Sequence, residues 1–402
     1  MLMMINESRR SRAHFDYILT ALVYVLAAFG VLCVSIATFS TKSKIEDTLL
    51  NYIVASHYGL RQAIFFLISP IVVGVVSFFP HEFLRRRAQW FYLLACGMLL
   101  VALVASQASG VKAWIDILWG YTLQPSEFVK LACIIVAAKY MEKNTDPFGT
   151  WKGALRLIAM MVVPWVLTLA AGEMGSVLVM IFVFGVMLYF GGVRLRVMGG
   201  IIAAGVVGLA VLYAVTVSAG IDNYRITRIL SFINPSLADS ASTYQVNNAK
   251  MAIGSGGLNG IGMFVQGSFS QLDYVPEDWT DFIFSTIGET FGFTGSMFVV
   301  GMYLLIVLRL MYLARYTTDR FGQMVIIGVM AMMLFHVFEN VGMNTGLAPV
   351  AGIPLPFLSY GGSNLITNMA GIGLVLNVVR NRSVTVGELP TPQTRTSGKY
   401  FR

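Results

Sequence analysis

Asp273, Glu277, Asp278 and Asp281 crowd the end of a long polar stretch, and a fifth acid, Glu289, follows inside an apolar run. A carboxylate beside a bound hydroxyl can take its proton as a general base, and one beside a departing diphosphate can help hold a divalent cation. An ionisable group at membrane depth is costly, so Glu289 reads as part of a functional site. Acids placed where water meets apolar chain suit a substrate with a polar head and a lipid tail. The plain alternative for Asp281 is an N-terminal helix acid favoured by the helix dipole, worth ~0.3–1 kcal/mol. Glu289 lies eight residues further on, which is ~12 Å along a helix and ~80° around it. It is therefore too deep to share a proton-transfer role with Asp281, and it reads as a buried structural partner, with Lys130 as one option.

The elements that must position these acids are apolar. Hydrophobic residues make up 56% of the 402 and charged residues 12%, about half the ~25% usual in soluble domains. The mean hydropathy is +0.72. The expected fold is all-α and polytopic. About ten spans are read near 17–39, 62–80, 89–107, 124–141, 155–171, 175–191, 197–218, 281–308, 322–338 and 357–379. The uncharged run 17–41 is longer than a signal-peptide core and leads straight into further spans, so it reads as an uncleaved helix. Of the Lys and Arg residues, 20 fall on one set of alternate segments and seven on the other, with Lys130 inside a span. That asymmetry puts both termini in the cytoplasm and makes 219–280 a large extracellular loop between helices 7 and 8. One transmembrane domain is expected over 1–380, with 381–402 a disordered basic tail.

The net charge of +8 is explained by this placement and carries no nucleic-acid reading. Cys33, Cys96 and Cys133 lie in apolar runs without paired spacing, so neither a disulfide framework nor a zinc site is expected.

Several motifs surround the acids. Glu127 and Lys130 stand at i,i+3 and could form an intrahelical salt bridge or face a charged substrate. Arg225 and Arg228 share that spacing after the seventh span, and Lys112 precedes the fourth. Arginine suits a diphosphate because its planar fork pairs two oxygens, but lipid headgroups are an equal option. Gln245 precedes the glycine-rich run Gly254–Gly260, which reads as a close backbone approach to a glycan or an interfacial turn. Gly288, Gly292 and Gly295 read as helix-packing positions. Asn340-Val-Gly-Met-Asn-Thr-Gly346 and the stretch Pro354–Ser363 mix Gly and Pro with apolar residues. Broken backbone at that depth must line a cavity or be covered by protein. Ser359 and Tyr360 there could bond substrate or simply pack.

Gln124-Pro-Ser-Glu-Phe-Val-Lys130, Ala252-Ile-Gly-Ser-Gly-Gly257, Pro276-Glu-x-x-Thr-Asp-Phe-Ile-Phe284 and Pro354-Leu-Pro-Phe-Leu-Ser-Tyr-Gly-Gly-Ser363, in this order, resemble the SEDS family (shape, elongation, division and sporulation). Ile353-Pro-Leu-Pro356 and Ser270-Gln-Leu-Asp273 lean to its RodA-like branch. The resemblance implies a peptidoglycan glycosyltransferase polymerising lipid II at the outer face of the cytoplasmic membrane, with Asp281 as the essential acid. It implies a single inverting displacement of undecaprenyl diphosphate. It also implies a class B penicillin-binding protein and other elongation-machinery proteins as partners, and Mg²⁺ or another divalent cation as an optional aid. Lys112, Lys130, Arg225, Arg228, Gln245 and Ser359 are the candidate substrate contacts. Glu127, Glu289, Trp114, Asn340, Pro354 and Tyr360 are the candidate cavity residues. The chain departs from the family pattern at Trp279, where His is usual, at Gly172-Glu-Met-Gly175, and at Ala113, where Arg is usual. A lipid II flippase, an FtsW-like division or sporulation polymerase, and a non-catalytic scaffold are the rivals.

Overall fold

The computed structural model describes residues 15–39, 48–105, 113–117, 121–144, 146–201, 203, 205 and 240–381. Lys112, Arg225, Arg228, nearly all of the seventh expected span and the basic tail lie outside these. Eleven helices carry labels here: α1 (Tyr17–Ala37), α2 (Leu49–Ala55), α3 (His57–Phe78), α4 (His81–Ala105), α5 (Pro125–Lys143), α6 (Trp151–Ala170), α7 (Met174–Phe190), α8 (Ser240–Ser255), α9 (Ile283–Arg315), α10 (Arg320–Thr345) and α11 (Gly362–Arg380). A two-residue antiparallel pair, β1 (Ile115–Asp116) with β2 (Thr122–Leu123), closes the turn before α5.

Among the described residues, α1, α3, α4, α6, α9, α10 and α11 are each long and apolar enough to cross a membrane. The protein is a multi-pass α-helical membrane protein. Between those helices pack α5, which carries Glu127, Lys130, Lys139, Glu142 and Lys143, and the 17-residue apolar α7. Centrally, α10 packs against α5, α7, α9 and α11 and is buried nearly all round, as α11 is. A helix buried on nearly every side belongs inside a bundle.

Local chemistry sets the helix ends. Asp16 caps α1 through Leu19 N at 2.8 Å, Ser56 caps α3 through Gly59 N at 2.9 Å, and Asp319 caps α10 through Gly322 N at 2.8 Å. Gly346 ends α10 in the left-handed conformation.

Three expectations change. The stretch 219–280 contains a helix, α8, which the polar sequence hid. α10 continues to Thr345, seven residues past the expected end of its span. The glycines near 254–260 approach protein rather than a ligand. At Gly292 (φ 66, ψ −158) α9 breaks, and residues 257–262 fill the gap. Phe293 N and Thr294 N donate to Gly257 O and Leu258 O at 2.9 and 3.1 Å, while Ile261 N and Gly262 N donate to Glu289 O and Thr290 O at 3.0 and 3.1 Å. A Cβ on Gly292 would lie 2.4 Å from Gly260 N, so only glycine fits this crossing.

Candidate active site

Asp281 lies two residues before α9, on a turn where every carbonyl from 279 to 281 is held by another segment. Tyr360 N donates to Trp279 O at 2.8 Å, and Ser359 Oγ donates to Thr280 O at 2.6 Å. Asn340 Nδ2 donates to Asp281 O at 2.7 Å and to Ile353 O at 2.8 Å; Asn344 Nδ2 reaches the same Asp281 O at 3.2 Å. Asn344 Oδ1 accepts from Ser285 N at 3.1 Å, which fixes its amide orientation. Asn340 and Asn344 stand one turn apart on α10 and grip the start of α9. Gly352 (φ 65) passes beside the acid, and a Cβ there would lie 3.3 Å from Asp281 Oδ2. Fixing a carboxylate's backbone on three sides is what a positioned proton acceptor requires.

The segment 353–361 is itself braced. Ser359 Oγ also accepts from Leu355 N at 2.7 Å, so its hydroxyl is spent on backbone and is not free for a substrate. Gln62 Nε2 donates to Ser359 O at 3.1 Å, and Gln62 Oε1 accepts from Gly361 N at 3.3 Å. The hydroxyl of Tyr303 donates to Pro356 O. Pro354 and Tyr360 therefore sit in the segment that backs Asp281. Tyr58 stacks on Trp279 (5.6 Å between centroids, 11° between planes) and meets Tyr360 edge-on at 4.9 Å.

The charges within the bundle form separate groups. Lys130 Nζ donates to Glu127 Oε1 at 2.8 Å and lies 3.0 Å from His336 Nε2. His336 Nδ1 faces Met332 O at 2.6 Å, so Nδ1 carries the ring proton and Nε2 accepts from the ammonium. The suggested Lys130–Glu289 pair is therefore not formed. Glu289 instead accepts from Phe269 N at 2.6 Å, Ser270 N at 3.1 Å and Ser270 Oγ at 2.7 Å, pinning the loop ahead of the acids. Local donors reached it first: a partner three residues away satisfies Lys130 without drawing a second helix inward. Glu173 takes hydrogen bonds from the hydroxyls of Ser126 and Ser176, tying α7 to α5.

The four loop acids differ in kind. Asp273 and Glu277 are exposed, with φ of 52 and 61. Asp278 is buried, and burial pushes its carboxyl well above the usual range, with the nearby Asp273 charge adding to the shift. Asp281 is half-buried. Trp114 is exposed just before β1, and Gln245 is half-buried on α8. No hydrogen bond among the described residues joins either to 279–281. No three His, Cys, Asp or Glu side chains among the described residues converge as a metal set.

Sequence reading placed Asn344 in a site-lining motif without giving it a role, and missed His336, Gln62, Tyr58 and Arg61. The first two had a signal: 336, 340 and 344 are spaced i,i+4,i+8 and form a polar face on an apolar helix. Gln62, Tyr58 and Arg61 precede or begin an apolar run and had none.

Fold and site together define a class: a nearly all-helical, multi-pass membrane protein with a carboxylate fixed at one end of its bundle. The chain belongs to the FtsW/RodA/SpoVE family, whose model, described as "Cell cycle protein", matches residues 16–384. It is 32% identical over 372 residues to a probable peptidoglycan glycosyltransferase FtsW of Trichlorobacter lovleyi, covering 91% of this chain and 93% of that one. It is 30% identical over 316 residues to the peptidoglycan glycosyltransferase MrdB of Escherichia coli, covering 78% and 83%. Among solved structures it resembles a chain of a peptidoglycan synthase complex that coordinates polymerization and crosslinking (TM-score 0.73, 25% identity, 92% and 98% covered). It also resembles the rod shape determining protein RodA of Thermus thermophilus (TM-score 0.64, 26% identity, 92% and 97% covered).

Proposed function

We propose that this protein is a peptidoglycan glycosyltransferase that polymerises lipid II at the outer face of the cytoplasmic membrane, with both termini inside. The carrying observation is the triple anchoring of residues 279–281, which holds Asp281 at the mouth of the bundle. Asp281 takes the proton from the acceptor's 4-hydroxyl as that oxygen attacks the anomeric carbon of the donor. Undecaprenyl diphosphate leaves from the opposite side, which turns an α-linked donor into a β-linked glycan. The glycosyltransferase names of the relatives and the 20-to-7 charge asymmetry support substrate and orientation. A class B penicillin-binding protein is the proposed partner, in keeping with the synthase complex that the chain resembles. Ile353-Pro-Leu-Pro356 favours a role in elongation, whereas the FtsW-named relatives at 32–33% identity favour division.

The test is polymerisation of purified lipid II by the full chain with its partner, wild type against Asp281→Asn. Wild type is expected to make glycan, and the folded variant to lose at least ~10²–10⁴-fold in rate. A variant that polymerises normally would remove Asp281 from the chemistry. A wild type that makes none in an intact complex would favour the flippase or scaffold reading.

A further inference from the structure

Arg61 sits on the second turn of α3, next to Gln62, whose amide locks residues 359–361 in place. Its guanidinium lies over the ring of Tyr121, 5.2 Å from the centroid, and beside the Tyr360 hydroxyl. Tyr360 in turn holds Trp279 O, two residues before Asp281. Among the described residues no carboxylate forms an ion pair with Arg61. By contrast, Arg85, Arg194 and Arg309 each meet an acid, and Lys130 meets Glu127. A guanidinium held over an aromatic face keeps its charge and N–H donors, a fork that fits two oxygens at once. Arg61 also stands in the N-terminal part of α3, where the helix dipole favours an anion.

Resting on the function proposed above, we infer that Arg61 is a specificity-determining residue that binds the diphosphate of the lipid-linked substrate, with Tyr121 and Tyr360 holding its guanidinium in place. The cation and Asp281 then divide the work: Asp281 handles the attacking hydroxyl, and Arg61 receives the charge of the leaving group.

The experiment measures binding of undecaprenyl diphosphate, undecaprenyl monophosphate and undecaprenol to the full chain in lipid nanodiscs, alongside KM and kcat for lipid II in the partner complex. Wild type is expected to prefer the diphosphate. Arg61→Ala is expected to bind it ~10- to 100-fold more weakly, the loss of a charge-assisted pair, with undecaprenol binding unchanged. Arg61→Lys, which keeps the charge but not the fork, is expected to fall between them and to raise KM more than it lowers kcat. A melting temperature matched to wild type identifies folded variants, and Arg61→Lys serves if Arg61→Ala does not fold. Wild-type preference and KM in either folded variant would overturn the proposal, as would a wild type indifferent to the diphosphate. A wild type that binds the diphosphate yet polymerises nothing would overturn the proposed function while leaving the anion site standing.

Discussion

At the end of the bundle where α3 and α11 finish, charge meets opposite charge. His81 Nδ1 faces Asn377 Oδ1 at 3.1 Å and His81 Nε2 faces Asp319 Oδ2 at 3.2 Å. Arg85 reaches Glu82 and Glu142, and Arg309 Nη2 meets Asp16 Oδ2 at 2.7 Å. Asn377 spends its amide nitrogen on the carbonyls of Val76, Ser77 and Phe79, and its oxygen faces His81 and accepts from Asn381 Nδ2. At the other end, where those helices begin, acids are held by backbone and hydroxyl donors, and Arg61 has an aromatic ring in place of a carboxylate. The pairs at the first end tie helix ends together and build structure, and beside them Arg380 lies over the ring of Phe78, 4.1 Å from its centroid. At the second end no carboxylate among the described residues pairs with Arg61, which leaves its charge available to a third party.

The sharpest way to break this contrast is the double variant Asn340→Ala/Asn344→Ala. It strips the side-chain donors from Asp281 O, and a misplaced acid is expected to slow polymerisation by ~10²-fold. Unchanged turnover would mean that the grip on 279–281 is structural only. Arg309→Ala should do the reverse. It leaves the buried Asp16 carboxylate without its cation and should cost ~1.5–3 kcal/mol of stability, read as a lower melting temperature, with turnover per folded molecule intact. Any selective loss of turnover would blur the division between the ends.

Asp278→Asn sharpens the other side. Burial raises the folded-state pKa of Asp278, so wild type loses stability as pH climbs from the ordinary carboxylate value to the raised one. The amide variant is expected to be more stable near pH 7, by ~1–3 kcal/mol, with the gap closing below about pH 4. A gap independent of pH would contradict this. Asp319→Asn is the smallest effect and has the opposite sign. Its hydrogen bond with His81 holds Asp319 below the usual range. That contribution is present at neutral pH and disappears as pH falls through the lowered value. With the Asp319 side chain 39% exposed, solvent screening should hold the loss under ~1 kcal/mol. Melting curves from pH 7 down to pH 3 would show wild type and variant converging.

Much of this fold was legible because lipid imposes one rule on each span: about twenty apolar residues whose backbone closes on itself. α8 escaped because Ser240–Ser255 is polar and buries only a narrow stripe including Ala249 and Ala252. Asp281 was readable from type and position. Its holders were not, since Ser359 and Tyr360 meet 279–280 across about eighty residues of chain, and no local period records such a contact. Trp279, a departure from the family pattern, acquires a reason from its stack with Tyr58. The Glu127–Lys130 pair was legible from its i,i+3 spacing, whereas the second group beside Lys130, His336, lies 206 residues away.

The break in α9 also sets an order of assembly. Residues 257–262 leave the ribosome before Gly292 does, so Gly257 O, Leu258 O, Ile261 N and Gly262 N lack their final partners when they first reach the membrane. The short piece Ile283–Phe291 is only ~14 Å long and cannot cross alone. Neither half of the crossing can therefore be completed in lipid until the other arrives, since unpaired backbone is costly there. The last turns of α8 and the first turns of α9 must enter as one unit.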